Sequence, residues 1–228
     1  MEKKRINPIF ITLITIASVC TILALVLAVM VIAKHGFSID EKAMSIVNKI
    51  RNGNFTKFQK IFTHLGSFVL LIFFVIIATI FVPTWRTKTI GILSFLSGAV
   101  ISTIIKYIIQ RPRPSDVALI EEVGYSFPSA HALLSTIFFG FLIYVLLLNL
   151  KNKPAKIIVS ILIGIIPICV GFSRVYLGVH FLSDVLAGLL LGVATLIFSI
   201  YLYGFLFDII SKKVKDKKQS ANNWFFYI

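Results

Sequence analysis

Six apolar runs without a charged residue divide this chain, at residues 8–33, 65–85, 89–105, 132–150, 157–173 and 185–207. A helix that crosses a membrane needs about 20 mostly apolar residues, within a range of about 17–25. All six runs reach that length. The third and fifth are the shortest, and the third is extended by Tyr107, Ile108 and Ile109 beyond Lys106. Only 14% of the 228 residues are charged and 58% are hydrophobic, whereas a soluble domain carries about a quarter charged. The expected fold class is therefore all-α, an integral membrane bundle of six transmembrane helices. They are expected at about 8–33, 65–85, 89–109, 129–150, 157–173 and 180–208, in one domain spanning 1–228 with a basic tail at 212–228.

The net charge of +14 does not point to nucleic acid. The basic residues sit at the ends of apolar runs and form no stripe along a soluble face. Cys20 and Cys169 lie inside apolar segments and read as packing residues. The basic N-terminus, Lys3-Lys4-Arg5, followed by a long apolar run, reads as a retained first helix, because the run exceeds the core of a cleaved leader. Six crossings put both termini on one side. That side carries the N-terminal basic cluster, Arg86, Lys88, Lys151, Lys153, Lys156 and the five lysines of 212–218. The positive-inside rule then favours cytoplasmic termini in a multi-pass protein of the cell membrane.

The first outer loop, about 34–65, has its own periodicity. Ser38-Ile39-Asp40-Glu41 has a capping-box pattern. Ile39, Ala43, Ile46, Val47 and Ile50 follow at helical spacing, and Phe55, Phe58, Phe62 and Leu65 repeat it after Gly53. Two short amphipathic helices at the outer surface are expected, either as part of the working apparatus or as a plug over the bundle. His35 and His64 read as loop histidines. The aromatic end, Trp224-Phe225-Phe226-Tyr227, suits either the membrane interface or free solvent.

Three polar clusters interrupt the apolar pattern, and one topology places all of them at the outer end. The first is Lys106 with Arg113-Pro114. The second is Ser126-Phe127-Pro128-Ser129-Ala130-His131, with Ser126 as the expected N-cap of the fourth helix. The third is Ser173-Arg174 with His180 and Asp184. His180 and Asp184 are four apart and share a face if both are helical. A carboxylate beside a histidine fixes ring orientation and tautomer, which prepares a nucleophile or base; taken alone, the pair also suits a structural helix end. The small-residue stripes Ser94-Gly98-Ser102 and Gly188-Gly192 end at Lys106 and at His180/Asp184, so both stripes are expected to face the bundle interior. Lys106, Arg113 and Arg174 suit a phosphoryl group, as do peptide N–H groups at the start of a helix around Ser129, Ala130 and His131. No His, Cys or carboxylate cluster has metal-ligand spacing, so three cations would do the work of a metal and no cofactor is expected.

Lys106-x6-Arg113-Pro114, Pro128-Ser129-Ala130-His131 and Ser173-Arg174-x5-His180-x3-Asp184 together resemble the three-part signature of the type-2 phosphatidic acid phosphatase superfamily, the group of the lipid phosphate phosphatases. The likeness is nearest to small bacterial members that act on phosphatidylglycerophosphate or undecaprenyl diphosphate. The resemblance implies a lipid phosphatase with its site on the extracytoplasmic side. His180 would form a phosphohistidine, Asp184 would orient it, and His131 would protonate the leaving alcohol. Lys106, Arg113, Ser129, Ala130 and Arg174 would bind phosphate. Ala130 departs from the usual glycine while keeping its peptide N–H. The expected partners are a phosphorylated membrane lipid and the bilayer, with no nucleic acid and no obligate protein partner. Charges inside a bundle also suit a transporter, or a lipid-binding protein without catalysis; the ordered three-part constellation favours hydrolysis.

Overall fold

A computed structural model of the protein describes residues 7–33, 37–82 and 84–224, with side chains as far as residue 214 apart from Ser115. Lys3, Lys4, Arg5, Lys34, His35 and the terminal aromatics Phe225, Phe226 and Tyr227 lie outside the described residues. Among those described, all regular structure is helical: α1 (Pro8–Ile32), α2 (Ser38–Ile50), α3 (Gly53–Phe62), α4 (Phe68–Phe81), α5 (Trp85–Ile109), α6 (Ala130–Asn149), α7 (Lys153–Tyr176) and α8 (Leu182–Trp224). Short 3-10 turns lie at Thr63–Gly66 and Ser115–Val117.

Five helices, α1, α5, α6, α7 and α8, are long and apolar enough to cross a membrane. The second expected crossing, 65–85, is not one straight helix. Helix α4 has 14 residues, about 21 Å at helical rise, which is short of a hydrocarbon core of about 30 Å. It passes as a span only together with Gly53–Gly66, from which it is bent by 51°. The break has a local cause: Ser67 leaves helical geometry and its hydroxyl accepts from the Leu70 N–H.

Other boundaries move for similar reasons. Helix α5 starts at Trp85, four residues before the expected 89, because the Thr84 hydroxyl caps the Thr87 N–H. Helix α7 outruns the expected 157–173 at both ends. Asn152 caps Ala155 at its start, and at its end Arg174 stays helical because protein groups pair with its charge. Helix α8 begins at Leu182, not 180, and continues to Trp224. The turn before it uses Gly178 at φ 72°, left-handed backbone that favours glycine.

Helix α6 is the axis of the bundle and packs against α5, α7 and α8. Its buried face carries Leu133, Leu134, Ile137, Phe138 and Phe141. The small-residue stripes do face this axis. A Cβ on Gly98 would meet Ile137 and Leu133, and one on Gly188 or Gly192 would meet the Ser129 or Leu133 carbonyl and the side chains of Ala132 or Thr136. The backbones of α5 and α8 therefore approach α6 closely at its site end, as small residues allow inside a membrane. The outer faces of α1, α4 and α7 instead expose isoleucine, leucine, valine and phenylalanine, the surface a bilayer covers.

The two short helices expected between the first two crossings are present as α2 and α3. Ile46 and Phe58 are exposed while Val47 is buried, and Phe55, Phe58 and Phe62 stack in series. The capping box is absent. Phe37 is the N-cap of α2 and makes no side-chain cap bond, because the helix starts at Ser38 and Phe37 has no acceptor to offer. The loop is also tied to the end of α7. Arg51 donates to the Tyr176 carbonyl at 2.8 Å, and the Tyr176 hydroxyl meets Thr56 Oγ1 at 2.9 Å.

Candidate active site

His180 sits in the turn between α7 and α8, and Asp184 in the first turn of α8. They are therefore not stacked on one helix as the spacing suggests. The turn still brings them together, with His180 Nδ1 3.4 Å from Asp184 Oδ2. That oxygen also accepts the Phe181 N–H at 2.9 Å, so the carboxylate that faces the histidine also closes the turn holding it. Both residues are almost wholly buried.

Arg113 approaches from the loop after α5. Its Nη1 donates to the Val179 carbonyl at 2.9 Å and lies 3.2 Å from His180 Nε2. A guanidinium has only donors, so this contact requires the tautomer with Nε2 unprotonated and the hydrogen on Nδ1, although Nδ1 makes no hydrogen bond at its 3.4 Å separation from Asp184. Burial, then the charges of Arg174, Arg113 and Lys106, hold the His180 imidazole well below the ordinary histidine pKa. At neutral pH it is a neutral ring with its Nε2 lone pair on the cationic side. Burial also lowers Arg113, opposed by the charges of Glu122 and Asp184.

Arg174, 1% exposed, donates to Thr63 Oγ1 at 2.9 Å and is hydrogen-bonded to Glu122 Oε1. The other Glu122 oxygen lies 3.8 Å from Arg113, so one carboxylate sits between two of the three expected phosphate cations. Lys106 donates to the Tyr125 carbonyl, within charge–charge range of Arg113, Asp184, Glu122 and Arg174. It is turned into the site and does not extend outward along α5.

Ser129 is the N-cap of α6, a role the sequence pattern gave to Ser126. Ser126 instead donates its hydroxyl to the Arg111 and Pro112 carbonyls. Ser129 joins the site through its N–H, which donates to the Asp184 carbonyl at 3.0 Å. Its hydroxyl is buried and, like Arg174 Nε and His180 Nδ1, has no hydrogen-bond partner. Ala130 opens α6 and its φ is not in the left-handed region, so the site makes no demand there that only glycine meets. His131 follows, its ring 3.3 Å from where a Cβ on Gly66 would stand. It is within charge–charge range of Arg174, His180, Arg113 and Lys106.

A family model of the PAP2 superfamily matches residues 87–208. The chain belongs to the PAP2 superfamily. The matched segment contains every one of these expected site residues, while α1 to α4 lie outside it. Phosphatidylglycerophosphatase B of Bacillus subtilis is 38% identical over 136 residues, which is 57% of this chain and 66% of that protein. An undecaprenyl-diphosphatase of Sulfolobus acidocaldarius is 36% identical over 116 residues, 47% of this chain and 52% of that protein. The chain thus spans somewhat under two thirds and about half of these two relatives. Among solved structures, the transmembrane PAP2-type phosphatidylglycerolphosphate phosphatase of Bacillus subtilis superposes with a TM-score of 0.73 at 30% identity. That match covers 82% of this chain and 94% of that one. Aquifex aeolicus LpxE gives 0.59 at 26% identity, over 72% of this chain and 96% of that one.

Four groups in this PAP2 site were not singled out from sequence. Glu122 lies in a loop with nothing to distinguish it from Glu121. Arg111 stands two residues before Arg113 and outside the three polar clusters. Ser183 lay in the His180–Asp184 stretch without a role. Asp40 is only an intervening position in the Ser38-to-Glu41 pattern. Arg111 bonds Asp184 Oδ1 at 2.5 Å and Asp40 Oδ2 at 2.9 Å, contacts made across more than 70 positions of sequence.

Proposed function

We propose that this PAP2 protein is a membrane lipid phosphatase that hydrolyses a phosphate monoester or diphosphate of a lipid through a phosphohistidine on His180, without a metal ion. The observation that carries this reading is a set of unspent donors beside a prepared nucleophile. Ser129 Oγ and Arg174 Nε are buried without partners, next to three cations and the N-terminal end of α6. Leaving such donors unpaired costs about 1–3 kcal/mol each, a cost that an anion with several acceptor oxygens removes.

In the first step His180 Nε2 attacks phosphorus and the bond to the lipid oxygen breaks. His131 gives that oxygen its proton, so the leaving group departs as an alcohol, or as a lipid monophosphate if the substrate is a diphosphate. Arg113 transfers its Nη1 donor from the ring nitrogen to a phosphate oxygen as the substrate seats. In the second step water attacks the phosphohistidine, His131 takes a water proton, and inorganic phosphate leaves. Lys106, Arg113 and Arg174 stabilise the charge on the equatorial oxygens in both steps.

The lipid chain has a path. A groove of about 420 Å³ runs between α4, α5 and α6, lined by Phe68, Ala99, Val100, Ile104 and Leu134, with Lys106 and Ala130 also on its wall. The substrate's hydrocarbon stays in such a groove while its phosphate enters the polar site, and the bundle end bearing the site faces the extracytoplasmic side, with both termini cytoplasmic. Phosphate release should be measured for purified protein in detergent with EDTA, using phosphatidylglycerophosphate, phosphatidate and undecaprenyl diphosphate. Release from at least one, abolished by His180→Ala, is expected. Activity only with added magnesium rejects the metal-free step, and no release from any of the three favours a transporter or binding protein on the same bundle.

A further inference from the structure

Asp40 is 4% exposed although it belongs to a short amphipathic helix at the edge of the bundle. Its Oδ1 accepts the Ser183 N–H at 2.8 Å, and its Oδ2 accepts the Ser183 hydroxyl at 2.7 Å and Arg111 Nη2 at 2.9 Å. The same guanidinium turns its other nitrogen to Ser183 Oγ at 2.7 Å and Asp184 Oδ1 at 2.5 Å. Arg111 is held flat by the Phe181 ring 4.1 Å away, with Phe37 on its flank at 5.8 Å. One cation thus bridges two buried carboxylates, and the Ser183 hydroxyl donates to Asp40 while accepting from Arg111.

We infer that Asp40, Arg111 and Ser183 form a positioning network that sets Asp184, and through it the tautomer and orientation of His180, so that α2 is a working part of the site. The inference rests on the proposed role of His180 as nucleophile. Asp184 Oδ2 faces His180 Nδ1 while Oδ1 is clamped by Arg111. A carboxyl group free to rotate about its last bond would exchange these two oxygens; the fork of Arg111, itself held by Asp40, stops that rotation. A lysine in its place brings one charge but not two directed donors. None of the three network residues contacts the phosphate cations Arg174 or Lys106 by hydrogen bond in the structure, so the network acts through Asp184 and not on substrate binding.

The test is a mutant cycle with a second readout that needs no turnover. Phosphate release from dioctanoyl phosphatidate in detergent is measured for Arg111→Met, Arg111→Lys, Asp40→Asn and Asp184→Asn, and for Arg111→Met combined with Asp184→Asn. A misplacement of about 1 Å costs about 10²-fold, so Arg111→Met should lower kcat by about that factor with KM little changed. Arg111→Lys should recover only part of the loss, and Asp40→Asn, nearly isosteric and the milder test of folding, should lose about tenfold. Residues acting through one group are not additive, so Arg111→Met should cost less than about twofold when Asp184 is already Asn. Equal losses in both backgrounds, or a loss confined to KM, overturns the inference.

The second readout is the ¹⁵N spectrum of histidine-labelled protein in micelles, with His180 identified by difference from His180→Gln. Wild type should show a single Nδ1–H tautomer, and Arg111→Met and Asp40→Asn a mixture. An unchanged tautomer in both variants overturns the inference. If wild type releases no phosphate from any lipid offered, the proposed activity fails, and the spectrum still decides whether the network fixes the ring.

Discussion

Glu122→Gln tests whether the pocket between Arg113 and Arg174 is the phosphate site. The carboxylate is bonded to Arg174 and lies 3.8 Å from Arg113, so an incoming phosphoryl group must displace it. Two unit charges about 4 Å apart attract by about 4 kcal/mol at an effective dielectric of 20, before desolvation and side-chain ordering are subtracted. Glutamine keeps the size and an acceptor oxygen but not the charge. The difference between a charged and a neutral hydrogen bond is about 1–2 kcal/mol, and that energy no longer competes with the ligand. Orthovanadate, which takes a five-coordinate form at a histidine, should then inhibit Glu122→Gln about tenfold more tightly than wild type, tenfold corresponding to about 1.4 kcal/mol. The assay is competitive inhibition of phosphate release in detergent at constant ionic strength, with KM for the lipid expected to fall in parallel. An unchanged or weaker vanadate constant refutes the reasoning, because Glu122 would then not occupy the anion's place.

The depressed His180 pKa makes stability depend on pH with a defined sign. The unfolded histidine titrates near 6.5 and the folded one well below it, so this contribution is complete above about pH 6.5. It is lost as pH falls toward the folded value, at about 1.4 kcal/mol per pH unit. The apparent Tm in detergent should therefore drop less steeply between pH 6.5 and 5 in His180→Gln than in wild type, and identical slopes would contradict a neutral buried ring. Sidedness can be read with single cysteines at exposed positions, after Cys20 and Cys169 are replaced. Lys42→Cys and Glu121→Cys should react with an impermeant reagent from outside the cell, and Lys153→Cys only after the membrane is opened; reaction of Glu121→Cys only from the cytoplasm would invert the proposed topology.

Much of the bundle is legible in the sequence because the bilayer imposes a length and a polarity on each crossing. Runs of about 20 apolar residues mark helices, and small residues spaced by four mark the faces of α5 and α8 that meet α6. Cap residues decide where helices end, and apolar runs do not show them: Thr84 and Asn152 lengthen α5 and α7, and Ser67 breaks the second crossing. The candidate site is legible where chemistry is concentrated in short motifs, as at Lys106, Arg113, Ser129, His131, Arg174, His180 and Asp184. It is not legible where a group acquires its role only from a distant partner. Asp40 looks like any acidic residue in the first turn of a short helix until α2 lies against the start of α8. Arg111 looks like a surface charge until the loop after α5 folds over Asp184, and Glu122 is one of two adjacent glutamates until it falls between two arginines. Local sequence determines which segments enter the membrane and which residues carry reactive groups, because burial in lipid and helical spacing act over one segment at a time. Tertiary structure decides which carboxylate answers which cation, because a buried charge is stable only beside its partner, and here those partners come from helices and loops far apart in the chain.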